Sequence, residues 1–386
     1  MEARHAWTTL HARHVSKMHD KFNILVLCNY KAMHVNTTRD HIHSIKKYSV
    51  NSIYVVDIYA FEKTRSSLEY YHAIVIHYSI NTPAFLHDHN SLSTKIRNYP
   101  GVKILFIQDE YRCVNDTVSC MEYLKIDLMY TVINPEIVDK LYNHKAIKNV
   151  KKKVTLTGFV PEGLEGIRVP DYESRNIDVG YRARKVPYWL GSFAQEKWII
   201  AERFKKEAQK YNLSCDIDTN EHKRLYGKKW YNFIASCKAM LGTESGASII
   251  DYSGLLQQKI EKLQLHNPDL EYNQIKDEYF STDGDIIIHV ISPRCFEAAS
   301  LKTLMVLYPG TYSGILEPWK HYLPLKRDHS NVDEVIAVIK NPDKASEIID
   351  NAYEDIATNS KYSYRSMVSD LDKEILILIK HKLTKN

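Results

Sequence analysis

The sequence predicts an α/β protein made of two doubly wound, Rossmann-like domains in series. Through the first half, short and nearly continuous apolar runs alternate with amphipathic segments, the pattern of parallel strands covered on both faces. The stretch from Gly158 to Asn176 holds Pro161, Gly163, Gly166 and Pro170, breaks both periodicities and reads as a linker. After it the alternation starts again, and 386 residues are enough for two domains.

Each element follows from its own run of residues. Asn23 to Cys28 is a buried strand by its length and branching, and Thr38 to Tyr48 has helical spacing through Ile42 and Ile45. Further strands are expected at 52–57, 73–77, 102–107, 128–133 and 153–157. In the second half, Asn176 to Tyr181 is a strand and Glu196 to Lys210 a helix with Ile199, Ile200, Phe204 and Ala208 on one face. Strands at 239–243 and 304–308 and helices at 331–340 and 344–357 complete it. The polar segment 257–279 reads as a helical insertion. Met367, Leu371, Ile375 and Ile379 in the tail form an apolar stripe suited to packing on the protein's own body. The expected plan is an extension at 1–20, a first domain at 21–165, a second at 166–357 interrupted at 251–290, and a helical tail at 358–386.

Composition narrows the class. Hydrophobic residues make up 44% and charged residues 26% of the chain, as in folded globular proteins, and 13 Gly with 12 Pro exclude a collagen-like one. No apolar run reaches the roughly 18 residues of a membrane-spanning helix. A net charge of +5 is too small to point to a nucleic-acid partner, so none is expected. The six cysteines form no C-x-x-C pair and read as reduced thiols of a cytoplasmic protein, and Met1 to Lys21 lacks the apolar core of a signal peptide.

Four segments could carry chemistry. In Ile291-Ser-Pro-Arg-Cys-Phe-Glu-Ala-Ala-Ser300, Ser292 and Pro293 mark a helix start that would attract phosphate, with Arg294 assisting. Glu297 there could accept two hydrogen bonds from a vicinal diol such as a ribose, or serve only its own helix. In Leu241-Gly-Thr-Glu-Ser-Gly-Ala247, Gly242 and Gly246 allow close backbone approach and Glu244 lies at a strand end, where such sheets bind ligands; a plain turn is the alternative. Arg182, Arg184 and Lys185 follow the strand of the second half, and Lys197 opens the next helix; they could grip phosphates or line a solvated loop. In the first half, Asn29, His34, His77, Asp109 and Glu110 follow strands. Asp109 and Glu110 could position an acceptor hydroxyl, whereas His77 suits a structural place.

Taken in order, these residues resemble the donor domain of the GT-B glycosyltransferases, in particular the retaining family-four type. Arg182 or Arg184 with Lys197 resembles that family's Arg…Lys pair for the donor diphosphate. Glu244 and Glu297 resemble its two glutamates, and Tyr312-Ser-Gly-Ile-Leu-Glu-Pro-Trp-Lys-His-Tyr-Leu-Pro-Leu325 its closing loop and strand. The resemblance covers about 176–357. Three departures stand out: Glu244 and Glu297 are far apart where the family usually has seven residues between them, Lys302 stands where it has glycine, and Asn29 to His34 lacks its glycines.

The resemblance implies a retaining, metal-independent transfer of a sugar from a nucleotide donor to a saccharide or lipid-linked acceptor, in surface polysaccharide or glycoconjugate synthesis. It implies catalytic roles for Glu244, Lys197, Arg184, Asp109 and Glu110. It implies donor contacts from Arg182, Arg184, Lys197, Ser292, Arg294, Glu297, Ser313 and Gly314. No cofactor and no metal are expected beyond the donor itself. The mild positive charge would suit an anionic or membrane-proximal acceptor, with peripheral attachment at the inner membrane face as an expectation. A catalytically silent nucleotide-sugar binder and a nucleotide-sugar epimerase remain open as alternatives. The Asp-x-Asp triplets at Asp216, Asp283 and Asp370 and the His-x-His pairs at His41 and His87 are too short to argue for metal.

Overall fold

The computed structural model describes residues 21–64 and 66–384. The expected N-terminal extension, 1–20, lies outside the described residues. The chain divides into two compact units, one of residues 1–155 with 364–386 and the other of residues 156–363. The division falls ahead of the expected boundary at 165, and the last helix belongs to the first unit.

The first unit is a parallel six-stranded sheet. Its strands are β1 (Asn23–Cys28), β2 (Ser52–Asp57), β3 (Ala73–Ile76), β4 (Val102–Phe106), β5 (Leu128–Thr131) and β6 (Lys151–Val154), in the order β2-β1-β3-β4-β5-β6. Connecting helices include α1 (Asn36–Tyr48), α2 (Ile58–Thr64), α3 (Asn90–Asn98), α4 (Val114–Leu124) and α5 (Pro135–Leu141). The three central strands β1, β3 and β4 are buried along their length apart from Asn23, which explains their unbroken apolar sequence.

One reading is corrected here. The strand expected at 153–157 is instead the edge strand β6, which opens with Lys151 to Lys153. Lys151 and Lys153 pair with Glu374, and Lys153 also with Asp370. Charges on an edge strand limit further strand pairing, and here they also anchor the last helix.

The second unit has a parallel five-stranded sheet ordered β13-β12-β9-β7-β8. Its strands are β7 (Ile177–Arg182), β8 (Cys215–Asp218), β9 (Cys237–Gly242), β12 (Leu304–Leu307) and β13 (Leu323–Pro324). A separate antiparallel ribbon pairs β10 (Ser245–Ala247) with β11 (Ile288–Val290). The helices are α6 (Ser192–Ala208), α7 (Gly227–Ser236), α8 (Leu255–His266), α9 (Tyr272–Tyr279), α10 (Pro293–Ser300), α11 (Val332–Ile339) and α12 (Pro342–Ala352).

Strand alternation sorts this core into two layers. Ala239, Leu241, Leu304 and Val306 pack with Ile200, Phe204, Val335 and Ile348. Met240, Met305 and Leu307 pack with Ile234, Phe296 and Ala299 on the other face. The sequence missed β8 and α7, and the single helix expected at 257–279 is two, α8 and α9. The last helix, α13 (Tyr364–Thr384), buries Met367, Leu371, Ile375 and Ile379 as the apolar stripe predicts.

In both sheets the first strand lies between the second and the third. Neighbouring connections then leave toward opposite faces, and a crevice opens at the carboxyl ends of the first and third strands. That crevice falls between β1 and β3 in the first unit and between β7 and β9 in the second.

Candidate active site

In the second unit Arg182, Ser292, Arg294 and Glu297 gather in one cluster and Glu244, Ser313 and Gly314 in another, and no contact shown links Arg184 or Lys197 to either. The first surrounds Arg294, in the opening turn of α10, whose Nη2 donates to the Arg182 carbonyl at the end of β7 (2.8 Å). Its guanidinium lies over the rings of Tyr181 (4.7 Å) and Trp230 (5.5 Å). Trp230 Nε1 in turn donates to Glu297 Oε2 at 2.8 Å. Arg182 sits over Phe233 at 4.2 Å and pairs with Asp216 at 2.8 Å. The buried Nε atoms of Arg182 and Arg294 have no hydrogen-bond partner. Strand β7, helix α7 and helix α10 thus bring two arginines and one buried carboxylate together.

Ser292 is the N-cap of α10 and accepts from the Arg294 N–H, as predicted. The first N–H groups of this helix start are engaged within it. Pro293 has none, the Arg294 N–H goes to the Ser292 hydroxyl and the Cys295 N–H to the Ser292 carbonyl. What α10 offers an anion is its dipole and the Arg294 side chain.

The second cluster surrounds Glu244, just beyond β9 and 7% exposed. Its Oε1 accepts from the Tyr312 N–H (2.6 Å) and the Thr311 hydroxyl (3.1 Å), and lies 3.5 Å from His289 Nδ1. Gly310 closes over Oε2, since a Cβ there would lie 2.3 Å from that oxygen. The carboxylate of Glu244 is thus enclosed by the turn after β12 and holds that turn in place. Burial pushes the carboxyl upward, but bonds from His289, Tyr312 and Thr311 outweigh it and hold Glu244 below the usual range. The same pairing raises the imidazole of His289.

Tyr312, Ser313 and Gly314 all have left-handed backbone, which for the first two is strained, and the Glu244 bond to the Tyr312 N–H holds that shape. Ser313 Oγ accepts from the Ile291 N–H at 3.1 Å, tying the turn to the segment that opens α10. Arg184 is exposed beyond the end of β7, and Lys197 is half-buried on α6. The N-terminus of α6 is occupied by Asp283, which accepts from the Ser192 N–H and from the hydroxyls of Ser248 (2.5 Å) and Tyr272 (2.7 Å).

Three further aspartates of the Asp-x-Asp triplets are also engaged. Asp216 pairs with Arg182, Asp218 accepts from the Asn220 N–H, and Asp370 accepts from Tyr130 and Lys153.

The first unit carries its own pocket of about 240 Å³, lined by residues following β3 and β4, among them Ser79, Asn81, Asp109, Glu110 and Arg112. Asp109 has left-handed backbone and accepts from the Tyr111 hydroxyl. Glu110 accepts from Thr131 Oγ1 (2.6 and 2.8 Å) and the Val132 N–H (3.1 Å). Burial pushes its carboxyl up to about 7 against the hydrogen bonds from Thr131, Val132 and Tyr142.

Asn29 caps the turn after β1, and exposed His34 bonds the Lys31 carbonyl. His77 is buried against His41 at 3.1 Å, and desolvation drives its pKa down; it is structural.

His289 escaped the sequence reading, as did Trp230. A signal for His289 was present: seven residues lie between it and Glu297, the spacing that the resembled family keeps between its glutamates. Nothing in the sequence marks Trp230, because its partner becomes visible only when α7 packs on α10.

No protein-family model matches the chain, and no curated protein does. Solved structures do. HepE from Anabaena, in complex with UDP, superposes with a TM-score of 0.51 over 92% of this chain and 100% of that one, at 11% identity. An alpha-glucosyltransferase in complex with UDP and DNA superposes with a TM-score of 0.49 over 92% of this chain and 100% of its own, at 8% identity. An alpha1,3-fucosyltransferase does so at 0.42 over 96% and 92%, at 11% identity. At such identity the likeness concerns the fold: two Rossmann-like units in the GT-B class, the architecture of glycosyltransferases.

Proposed function

We propose that the protein is a GT-B glycosyltransferase whose second unit binds a nucleotide-sugar donor, with retaining, metal-independent transfer to a saccharide or lipid-linked acceptor. The observation that carries this reading is the joining of Arg182, Arg294 and Glu297 at the carboxyl ends of β7 and β9. Breaking the anomeric C–O bond leaves its electron pair on the nucleoside diphosphate. Arg182, Arg184, Arg294 and Lys197 offset that growing charge, an interaction stronger in the transition state than in the ground state. Cations here do the work a metal would otherwise do. Glu297 accepts from the ribose hydroxyls, Ser313 and Gly314 shape the wall beside the sugar, and Glu244 fixes that wall. In a retaining transfer the acceptor oxygen bonds the anomeric carbon from the leaving-group side and its proton passes to the departing phosphate. Asp109 and Glu110 line the pocket assigned to the acceptor. We further place the protein in surface polysaccharide or glycoconjugate synthesis, acting in the cytoplasm.

HepE was solved with UDP, which makes UDP the first probe. Calorimetry of the full chain should show UDP binding that weakens by about tenfold or more in Glu297→Ala and Arg294→Ala. Unchanged affinity in both, or no binding of UDP or any other nucleoside diphosphate by the wild type, would overturn the reading.

A further inference from the structure

We propose that His289 is a ligand-contacting residue of the same site, donating a hydrogen bond from Nε2 to the diphosphate of the bound nucleotide and to the oxygen that departs with it. The inference rests on the donor-site reading and deepens it.

The geometry uses one edge of the imidazole and leaves the other. Nδ1 lies 2.9 Å from the Thr311 hydroxyl and 3.5 Å from Glu244 Oε1, and the side chain keeps 25% exposure. The Glu244 carboxylate accepts from Nδ1–H and fixes the ring, and in the imidazolium this pairing favours, Nε2–H is left to donate to a ligand. The ring is held in place from its own strand as well. His289 pairs with Gly246 across the β10–β11 ribbon, where a Cβ at Gly246 would meet the Ile288 carbonyl oxygen. That ribbon runs into Ile291, bonded to Ser313, and then into Ser292, the cap of the helix that carries Arg294 and Glu297.

The charged group facing His289 is Glu244, from the turn between β9 and β10. Thr311 presents a neutral hydroxyl, and β10 brings Ser245 and Gly246. Arg327, after β13, also feels Glu244. Pairing with Glu244 favours the imidazolium. During transfer the C–O electron pair moves to the phosphate oxygen, the acceptor supplies the new C–O bond and its proton, and the imidazolium keeps its own proton throughout.

The test is UDP affinity from pH 6.5 to 8.5 in the wild type, His289→Gln and Glu244→Gln, with Arg294→Ala as a control for the donor site. At pH 6.5, His289→Gln should bind about tenfold more weakly than the wild type, and the two should converge at pH 8.5 as the wild-type imidazole loses its charge. Glu244→Gln should bring that convergence to lower pH. If His289→Gln matches the wild type throughout while Arg294→Ala is weakened, the inference fails and the donor site stands. If the wild type binds no nucleoside diphosphate, both fall.

Discussion

Lys197 and Glu110 show how differently two polar side chains can be placed by the same kind of fold. Lys197 rides half-buried on the first helix after the switch strand of its sheet. If it offsets leaving-group charge, Lys197→Ala should lower turnover by about 10²-fold while the melting midpoint hardly moves; near-normal turnover would remove it from the mechanism. Glu110 is buried, and its carboxyl rises from 4.5 to about 7. A folded-state value above the unfolded one means that the folded state holds the proton more tightly. Its contribution to stability is full below 4.5, declines as pH rises, and levels off above about 7. Glu110→Gln cannot ionise, so its melting temperature should gain on the wild type between those limits and stay level above them. A difference independent of pH would show that Glu110 does not titrate in this range.

Among the elements, α13 is the one whose place the local sequence leaves open. Its apolar stripe predicts burial, but the surface it meets was set by distant residues. Asp372, 9% exposed, accepts from Ser49 Oγ (2.6 Å), the Val50 N–H (2.9 Å) and Asn51 Nδ2 (2.8 Å) at the start of β2. Lys382, near the other end of α13, pairs with Asp127 at 2.8 Å. Asp372→Ala strands three donors and should cost about 2 kcal/mol of stability, read as a lowered urea midpoint with an unchanged slope. No change in midpoint would mean that water replaces the carboxylate without loss. The insertion follows a similar logic: Asp283 caps α6, Trp189 donates to Glu261 and Tyr188 to the Leu270 carbonyl, so polar helices that look solvated in sequence dock through a few specific polar contacts. By contrast β1, β3, β4 and β9 were legible, because strands covered on both faces need unbroken apolar sequence.

At the scale of the whole molecule, each unit has its own sheet, and the chain passes between them twice, after Thr155 and after Ser363. Ligand that binds only the folded second unit should stabilise by mass action, by about 2.7 kcal/mol at a concentration one hundred times Kd. Hydrogen exchange with UDP should then slow in β7, β9 and α10 and leave β1 to β6 unchanged. Slowing confined to the first unit would contradict the placement of the donor.

The sequence by itself determined the α/β class, the two-unit plan, the strands of both sheet centres and the apolar stripe of α13. It also marked Arg182 at a strand end and Ser292, Arg294 and Glu297 at a helix start, because periodicity and helix capping are local consequences of side-chain chemistry. Only the tertiary structure decided what those groups touch. The Glu297 carboxylate meets Trp230, Glu244 is enclosed by the turn at Gly310 to Tyr312, and His289 joins them, each through contacts between segments far apart in the chain. Such contacts depend on how helices pack across a sheet, and no spacing along the chain encodes that distance.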